Sequence, residues 1–239
     1  MIEQKSLKQD YRGQALEHVI VHDGTSRVLP SVIIMPTVMG VQPLELGFAE
    51  RLVGLGYHAV VADFYGRRFT PPERAHAVDA MNALRADRTA LRDLLLAIVE
   101  PIKQRPQVDA AKVAVIGFCF GGLCALDVAR SGVDIAGVAS FHGLFEPPGL
   151  PAQKIRAKVI AFHGWDDPLA PSDMVEALAT ELTEAGADWQ IHAYGHTRHG
   201  FTNPNAAAAG MDAVRFDEAA ARRSWRGLTD FLDECFGAP

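Results

Sequence analysis

Gly117-Phe118-Cys119-Phe120-Gly121 sets a thiol between two glycines, directly after the β-branched run "KVAVIGF" and directly before an alanine- and leucine-rich run. This is the G-x-nucleophile-x-G pattern in the context it requires, a strand that turns sharply into a helix. Flanking residues without a Cβ relieve the crowding of such a turn. The nucleophile then meets the start of the helix, whose unpaired N–H groups and dipole favour an anion. A cysteine placed there has its thiol pKa lowered, and the thiolate is the nucleophilic form. The competing reading is a small buried cysteine beside a glycine-eased turn, which is how Cys124 and Cys235 read.

A nucleophile needs a base, and the base needs an orienting acid. "FHGWDDPLAP" (162 to 171) puts Asp166 and Asp167 in a loop just past a buried-strand pattern, and "GHTRHGFTNP" (195 to 204) puts His196 and His199 just past the next one. Catalytic groups in open α/β sheets collect at the carboxyl ends of strands. Nucleophile, acid and histidine therefore share one edge, in the chain order that the α/β-hydrolase arrangement uses, with either aspartate and either histidine available.

Two other function classes compete. His192, His196 and His199, with Asp166 and Asp167, supply the residue types of a metal-dependent hydrolase. Their spacing, however, falls at a strand end and loop rather than along one helix face. The second competitor is a non-catalytic binding protein that keeps the fold; candidates for all three catalytic roles speak against it. A redox pair of Cys119 with Cys124 is weaker, because a resolving cysteine inside the helix points away from the turn.

The positioning elements follow from periodicity. Residues 31–36, 58–64, 112–118, 135–142, 157–164 and 189–195 read as strands, several apolar nearly throughout, as strands buried on both faces must be. Residues 16–23 alternate more and read as an edge strand. Helices are expected near 43–55, 73–104 (broken), 121–131, 172–185 and 212–235. Thr70-Pro71-Pro72-Glu73 reads as a helix start, and Asp173 with Glu176 repeats the capping-box spacing. The sum is a doubly wound, mainly parallel α/β sheet with helices on both faces, in one domain over residues 1–239.

Composition narrows the partners. Among 239 residues, 49% are hydrophobic and 22% charged, which favours an ordinary globular protein over disorder or a fibrous repeat. A net charge of −6 without a basic run argues against nucleic acid and anionic membranes. "MIEQKSLKQDYRG" has no apolar core of a signal peptide, and no stretch approaches the roughly 18 uninterrupted apolar residues of a span. Three cysteines form no even framework, so reduced thiols in the cytoplasm are expected.

The chain resembles the dienelactone hydrolase family of α/β-hydrolases over nearly its whole length. The resemblance rests on the strand order, the small size without a large cap domain, "ADFYGR" after the third strand pattern, and G-x-C-x-G-G at Gly117–Gly122. The family's acid lies in a G-x-x-D-x-x-x-P loop, which fits Gly164, Asp167 and Pro171. Its histidine precedes a small residue and a phenylalanine, which fits His199-Gly200-Phe201 and leaves His196 second.

The resemblance implies hydrolysis through Cys119, His199 and Asp167, with no metal or organic cofactor and a small-molecule ester or lactone as partner; a homodimer is compatible with the fold. Backbone N–H groups of Phe120 and Val38 would hold the oxyanion. Two departures bear on substrate: this chain has Thr37 where the family has a glutamate in the early loop, and Asn203 where it has a substrate-binding arginine. Those neutral side chains cannot replace an ion-pairing site for an acidic lactone. With Phe64, Tyr65, Phe120, Phe145, Trp165 and Phe201 in or beside the edge loops, an apolar pocket for neutral esters and lactones is expected, with promiscuous phosphotriester hydrolysis. Arg67, Arg68, Arg74 and Arg198 are the nearby cations, read as solvated.

Overall fold

A computed structural model describes residues 1–66 and 74–237. Arg67, Arg68 and the helix start expected at Thr70–Glu73 lie outside them. Eight strands form one sheet in the order β1-β2-β4-β3-β5-β6-β7-β8. They are β1 (Glu3–Tyr11), β2 (Gln14–His22), β3 (Leu29–Met35), β4 (His58–Val61), β5 (Val108–Phe118), β6 (Gly137–Phe141), β7 (Lys158–Gly164) and β8 (Trp189–Tyr194). From β4 onward through β3, β5, β6, β7 and β8 every pairing is parallel, while β1–β2 and β2–β4 are antiparallel.

The sheet's edge corrects one expectation. The strand expected at the edge, β2, lies one place in, and a strand over Glu3–Tyr11 covers it. Its segment, "EQKSLKQDY", is mostly exposed and polar, so the apolar periodicity that marks other strands is faint. A two-residue turn at Arg12 and Gly13, both at positive φ (53° and 83°), closes the hairpin.

Helices cover both faces: α1 (Pro43–Gly54), α2 (Arg74–Arg85), α3 (Arg88–Lys103), α4 (Phe120–Arg130), α5 (Ser172–Glu184) and α6 (Glu218–Phe236). The break expected within 73–104 falls between α2 and α3, where Asp87 caps α3 by accepting the N–H of Ala90. Two expected boundaries move. Pro171 stands at the N-cap of α5 without a side-chain cap bond, so Asp173 lies in the first turn rather than capping it. α6 starts at Glu218, capped by Asp217, because residues 206–209 form a short 3-10 turn and the chain to 217 runs irregularly.

Strand alternation divides the core in two. One face buries Leu94, Leu95, Ile98, Phe120, Leu123 and Leu178 under α3, α4 and α5. The other buries Phe48, Leu52, Phe118, Phe141, Phe162 and Phe231 under α1 and α6. Phe118, Phe141 and Phe162 are in register on β5, β6 and β7, with ring centroids 4.7 and 4.6 Å apart. Each such burial contributes roughly 1.5–3 kcal/mol. The ladder locks three strand ends side by side, and the residues that follow, Cys119 and His142 among them, emerge at one edge.

A polar clamp fixes α4 from behind. Asp127, buried on α4, takes Arg88 of α3 at 2.7 Å and Arg130 at 3.2 Å. Arg130 continues to Glu181 of α5 at 2.7 Å and to the carbonyl of Glu146 at 3.1 Å. Among the described residues no helix is long and apolar enough to cross a membrane.

Candidate active site

The turn from β5 into α4 holds Cys119 at φ 57° and ψ −118°, a conformation that strains any residue with a Cβ. Its N–H donates to the carbonyl of Phe141 at 3.0 Å, and its own carbonyl accepts from Gly122 and Leu123 as α4 begins. The glycines are sterically required: a Cβ on Gly117 would meet the oxygen of Gly121 at 1.8 Å, and one on Gly121 the oxygen of Met35 at 2.1 Å. The strained turn therefore rests on two residues that permit close backbone contact.

Asp167 and His199 come from the loops after β7 and β8. His199 Nδ1 lies 2.8 Å from Asp167 Oδ2, so Nδ1 carries the proton and donates it. The other carboxylate oxygen accepts the N–H of Leu169 at 2.8 Å, which fixes the acid. His199 is itself held by main-chain bonds, its N–H to Ala213 and its carbonyl from Arg215. The remaining ring nitrogen, Nε2, is buried without a hydrogen-bond partner among the described residues. The alternative pair is different in kind: His196 is fully exposed and 3.8 Å from the half-exposed Asp166.

Cys119 and His199 line one cavity of about 420 Å³, and their charges act on each other. Burial pushes the Cys119 thiol up, but the positive charge of His199, the N–H of Phe120 and the charge of Arg74 together bring it below the usual value. Burial pushes His199 down, and the Cys119 thiolate with Asp167 raises it to about 10. Both directions favour a thiolate facing an imidazolium.

Three features were not anticipated. His142, just past β6, lines the cavity at φ 37°. Its Nδ1 accepts the N–H of Cys119 at 3.2 Å, and its Nε2 therefore donates to Thr202 Oγ1 at 2.8 Å. Burial, with His199 adding to it, holds its pKa well down, so the ring is neutral. Glu45 is wholly buried at the start of α1; its carboxylate accepts the N–H of Thr37 at 3.0 Å and of Gln42 at 3.2 Å. That fixes the loop carrying Val38, whose N–H has no intramolecular partner among the described residues. Thr202 lines the cavity too, and so does Arg74, one of the cations read from sequence as solvated. A histidine at a strand's carboxyl end and a lone acid in the apolar run "PLELGFAERL" were the available signals.

Of the other expected site residues, Thr37, Val38 and Asn203 line the cavity. The aromatic residues do not: Phe64, Phe120, Phe145 and Phe201 are buried in the packed cores. Tyr65 packs on Phe64 and Phe120, and Trp165 is half-exposed beside His163. Met39, Leu44, Ala208, Ala209 and Val214 supply the apolar lining instead. Arg74 is the single cation and no carboxylate is present among the described lining residues, while Arg198 is paired with Asp212. His192, on β8, packs against Phe162 and does not converge with His196 and His199; among the described residues no group of three ligating side chains is placed to hold a metal ion.

The sequence profile of the dienelactone hydrolase family matches residues 18–236. A Synechocystis protein described as a putative carboxymethylenebutenolidase is 27% identical over 199 residues, 77% of this chain and 80% of its own. Among solved structures, m3DLH superposes with a TM-score of 0.93 at 32% identity and covers 99% of both chains. A dienelactone hydrolase-like promiscuous phosphotriesterase from metagenomic libraries, P91, has a TM-score of 0.93 at 30% identity, again over 99% of both chains. The architecture is the α/β-hydrolase fold, without a large cap.

Proposed function

Because the chain belongs to the dienelactone hydrolase family of hydrolases, we propose that it cleaves neutral carboxylic esters and lactones through Cys119, His199 and Asp167. One observation carries this reading: a strained cysteine with a lowered pKa shares a cavity with a histidine raised to about 10 and bonded to a buried aspartate. The Cys119 thiolate attacks the carbonyl carbon, and the developing oxyanion takes the N–H groups of Phe120 and Val38. Collapse expels the alkoxide, which receives the His199 proton, and leaves a thioester on Cys119. Neutral His199 then takes a proton from water as it attacks the thioester. The acid leaves and the thiolate–imidazolium pair returns.

The same thiolate and N–H donors fit the phosphorus of a neutral phosphotriester. The likeness to P91, itself described as a promiscuous phosphotriesterase, supports that side activity. Neutral Thr37 and Asn203 in the lining support uncharged groups at the reacting end. Arg74 favours a second reading, in which the cavity also accepts an acyl group bearing a carboxylate.

Rapid-quench mass spectrometry during turnover of p-nitrophenyl acetate tests the mechanism. An acetyl adduct mapping to Cys119, absent from Cys119→Ala, is expected. Undiminished hydrolysis by Cys119→Ala without an adduct would overturn it.

A further inference from the structure

A second cavity of about 570 Å³ lies between the N-terminal halves of α1 and α6 and shares Leu44 and Thr202 with the catalytic cavity. The two therefore adjoin, with Leu44 and Thr202 forming a wall common to both. Phe48, Phe216 and Trp225 give this groove an aromatic lining, and Phe216 is 36% exposed. Its charges are unbalanced: Arg51, Arg222 and Arg226 against the lone carboxylate of Glu218. The Arg51 guanidinium lies 3.6 Å from the Trp225 ring centroid, and none of the three arginines forms an ion pair among the described residues. From Leu44, at the shared mouth, to Arg51 is seven residues of helix, about 10 Å at 1.5 Å per residue.

We propose that this groove holds the distal part of the enzyme's own substrate: an ester whose carbonyl lies over Cys119 and whose apolar acyl body runs past Leu44 along α1 and ends in an anionic group held by Arg51, Arg222 and Arg226. The wall shared with the catalytic cavity puts the groove within reach of a substrate held at Cys119, and the guanidinium groups set the sign of its far end. Aromatic side chains under a cation suit an apolar chain that ends in charge. The inference rests on the hydrolase reading and extends it, since the reacting end stays uncharged.

The test compares mono-p-nitrophenyl suberate, whose free carboxylate sits at the far end of the acyl chain, with uncharged p-nitrophenyl octanoate. The wild-type enzyme is expected to favour the suberate ester by at least about tenfold in kcat/KM, mainly through KM, and to lose that preference in the Arg222→Ala/Arg226→Ala double variant and at high salt. Equal kcat/KM for the two esters, or a preference untouched by the double variant, overturns the proposal.

Calorimetric binding to Cys119→Ala separates this proposal from the hydrolase reading. If that variant binds the suberate ester more tightly than the octanoate ester while the wild type hydrolyses neither, the groove stands and the hydrolase reading falls. If p-nitrophenyl acetate acylates Cys119 but Cys119→Ala does not distinguish the two esters, the groove falls and the hydrolase reading stands. Sedimentation supplies a third arm. A dimer dissociated by Phe216→Ser would mean that a second copy covers the groove, and the proposal would fail.

Discussion

His199 Nδ1 donates to Asp167 Oδ2 across 2.8 Å, with the two side chains 3% and 0% exposed. No water competes for that bond, so it alone sets the tautomer and leaves Nε2 free for chemistry. Asp167→Asn presents an amide that can bond the wrong tautomer. We expect kcat for p-nitrophenyl acetate to fall on the order of 10³- to 10⁴-fold with KM little changed, as in hydrolase triads generally. A loss below tenfold in a folded variant would remove Asp167 from this role.

The thiolate–imidazolium pair predicts a pH profile. The Cys119 pKa is depressed, so the thiolate and its share of stability persist until the pH falls through that lowered value. The His199 pKa is raised, so the imidazolium's contribution is complete below 6.5 and is lost as the pH rises through about 10. Alkylation by iodoacetamide should therefore reach half its maximal rate below the roughly 8.5 of a free cysteine. His199→Ala should move that midpoint up, because burial is then opposed only by the Phe120 N–H and the charge of Arg74.

His142 joins the nucleophile's turn to the loop carrying His199, through Cys119 N–H and Thr202 Oγ1. His142→Phe keeps an aromatic ring and deletes both bonds. At roughly 1 kcal/mol each, their loss corresponds to a ten- to thirtyfold fall in kcat if both serve to align the site. Unchanged kcat together with a lowered melting temperature would reduce His142 to a packing role.

Asp127→Ala leaves the part-buried Arg88 without its carboxylate and facing Arg130, which keeps only Glu181. Loss of one partner from such a cluster costs about 3–5 kcal/mol. Urea denaturation should show that loss as a lower midpoint at unchanged slope. A change under 1 kcal/mol would mean that water replaces the carboxylate.

The parallel strands and most helices were legible because a strand buried on both faces must be apolar throughout, and an amphipathic helix must repeat its apolar residues. β1 was not, since a strand with one neighbour and much solvent needs neither pattern. The start of α6 was misplaced because Asp212 to Asp217 hold no glycine or proline to interrupt the pattern, yet Val214 bridges to His199 and the chain runs irregularly to 217. At the site, Cys119 was legible because Gly117 and Gly121 announce a turn that tolerates no Cβ. The cavity wall was not: inward orientation depends on strand ends and loops meeting in space, so Phe64 and Phe201 lie in the core while Met39 and Val214 face the ligand space. His142 shows the same limit. Its bonds reach 23 residues back and 60 ahead in the chain, distances at which local pattern carries no signal.

The polar strand that hides from periodicity also guards the sheet. β1 has one side paired with β2 and the other unpaired, which would invite another chain to add a strand. Lys5, Lys8, Glu3 and Asp10 stand along it, with burial confined to alternate positions near its end. An incoming strand would have to strip water from those charges without replacing it. A strand without catalytic groups thus protects one of the sheet's two edges, and a variant with valine at Lys5 and Lys8 is where that edge would lose its protection.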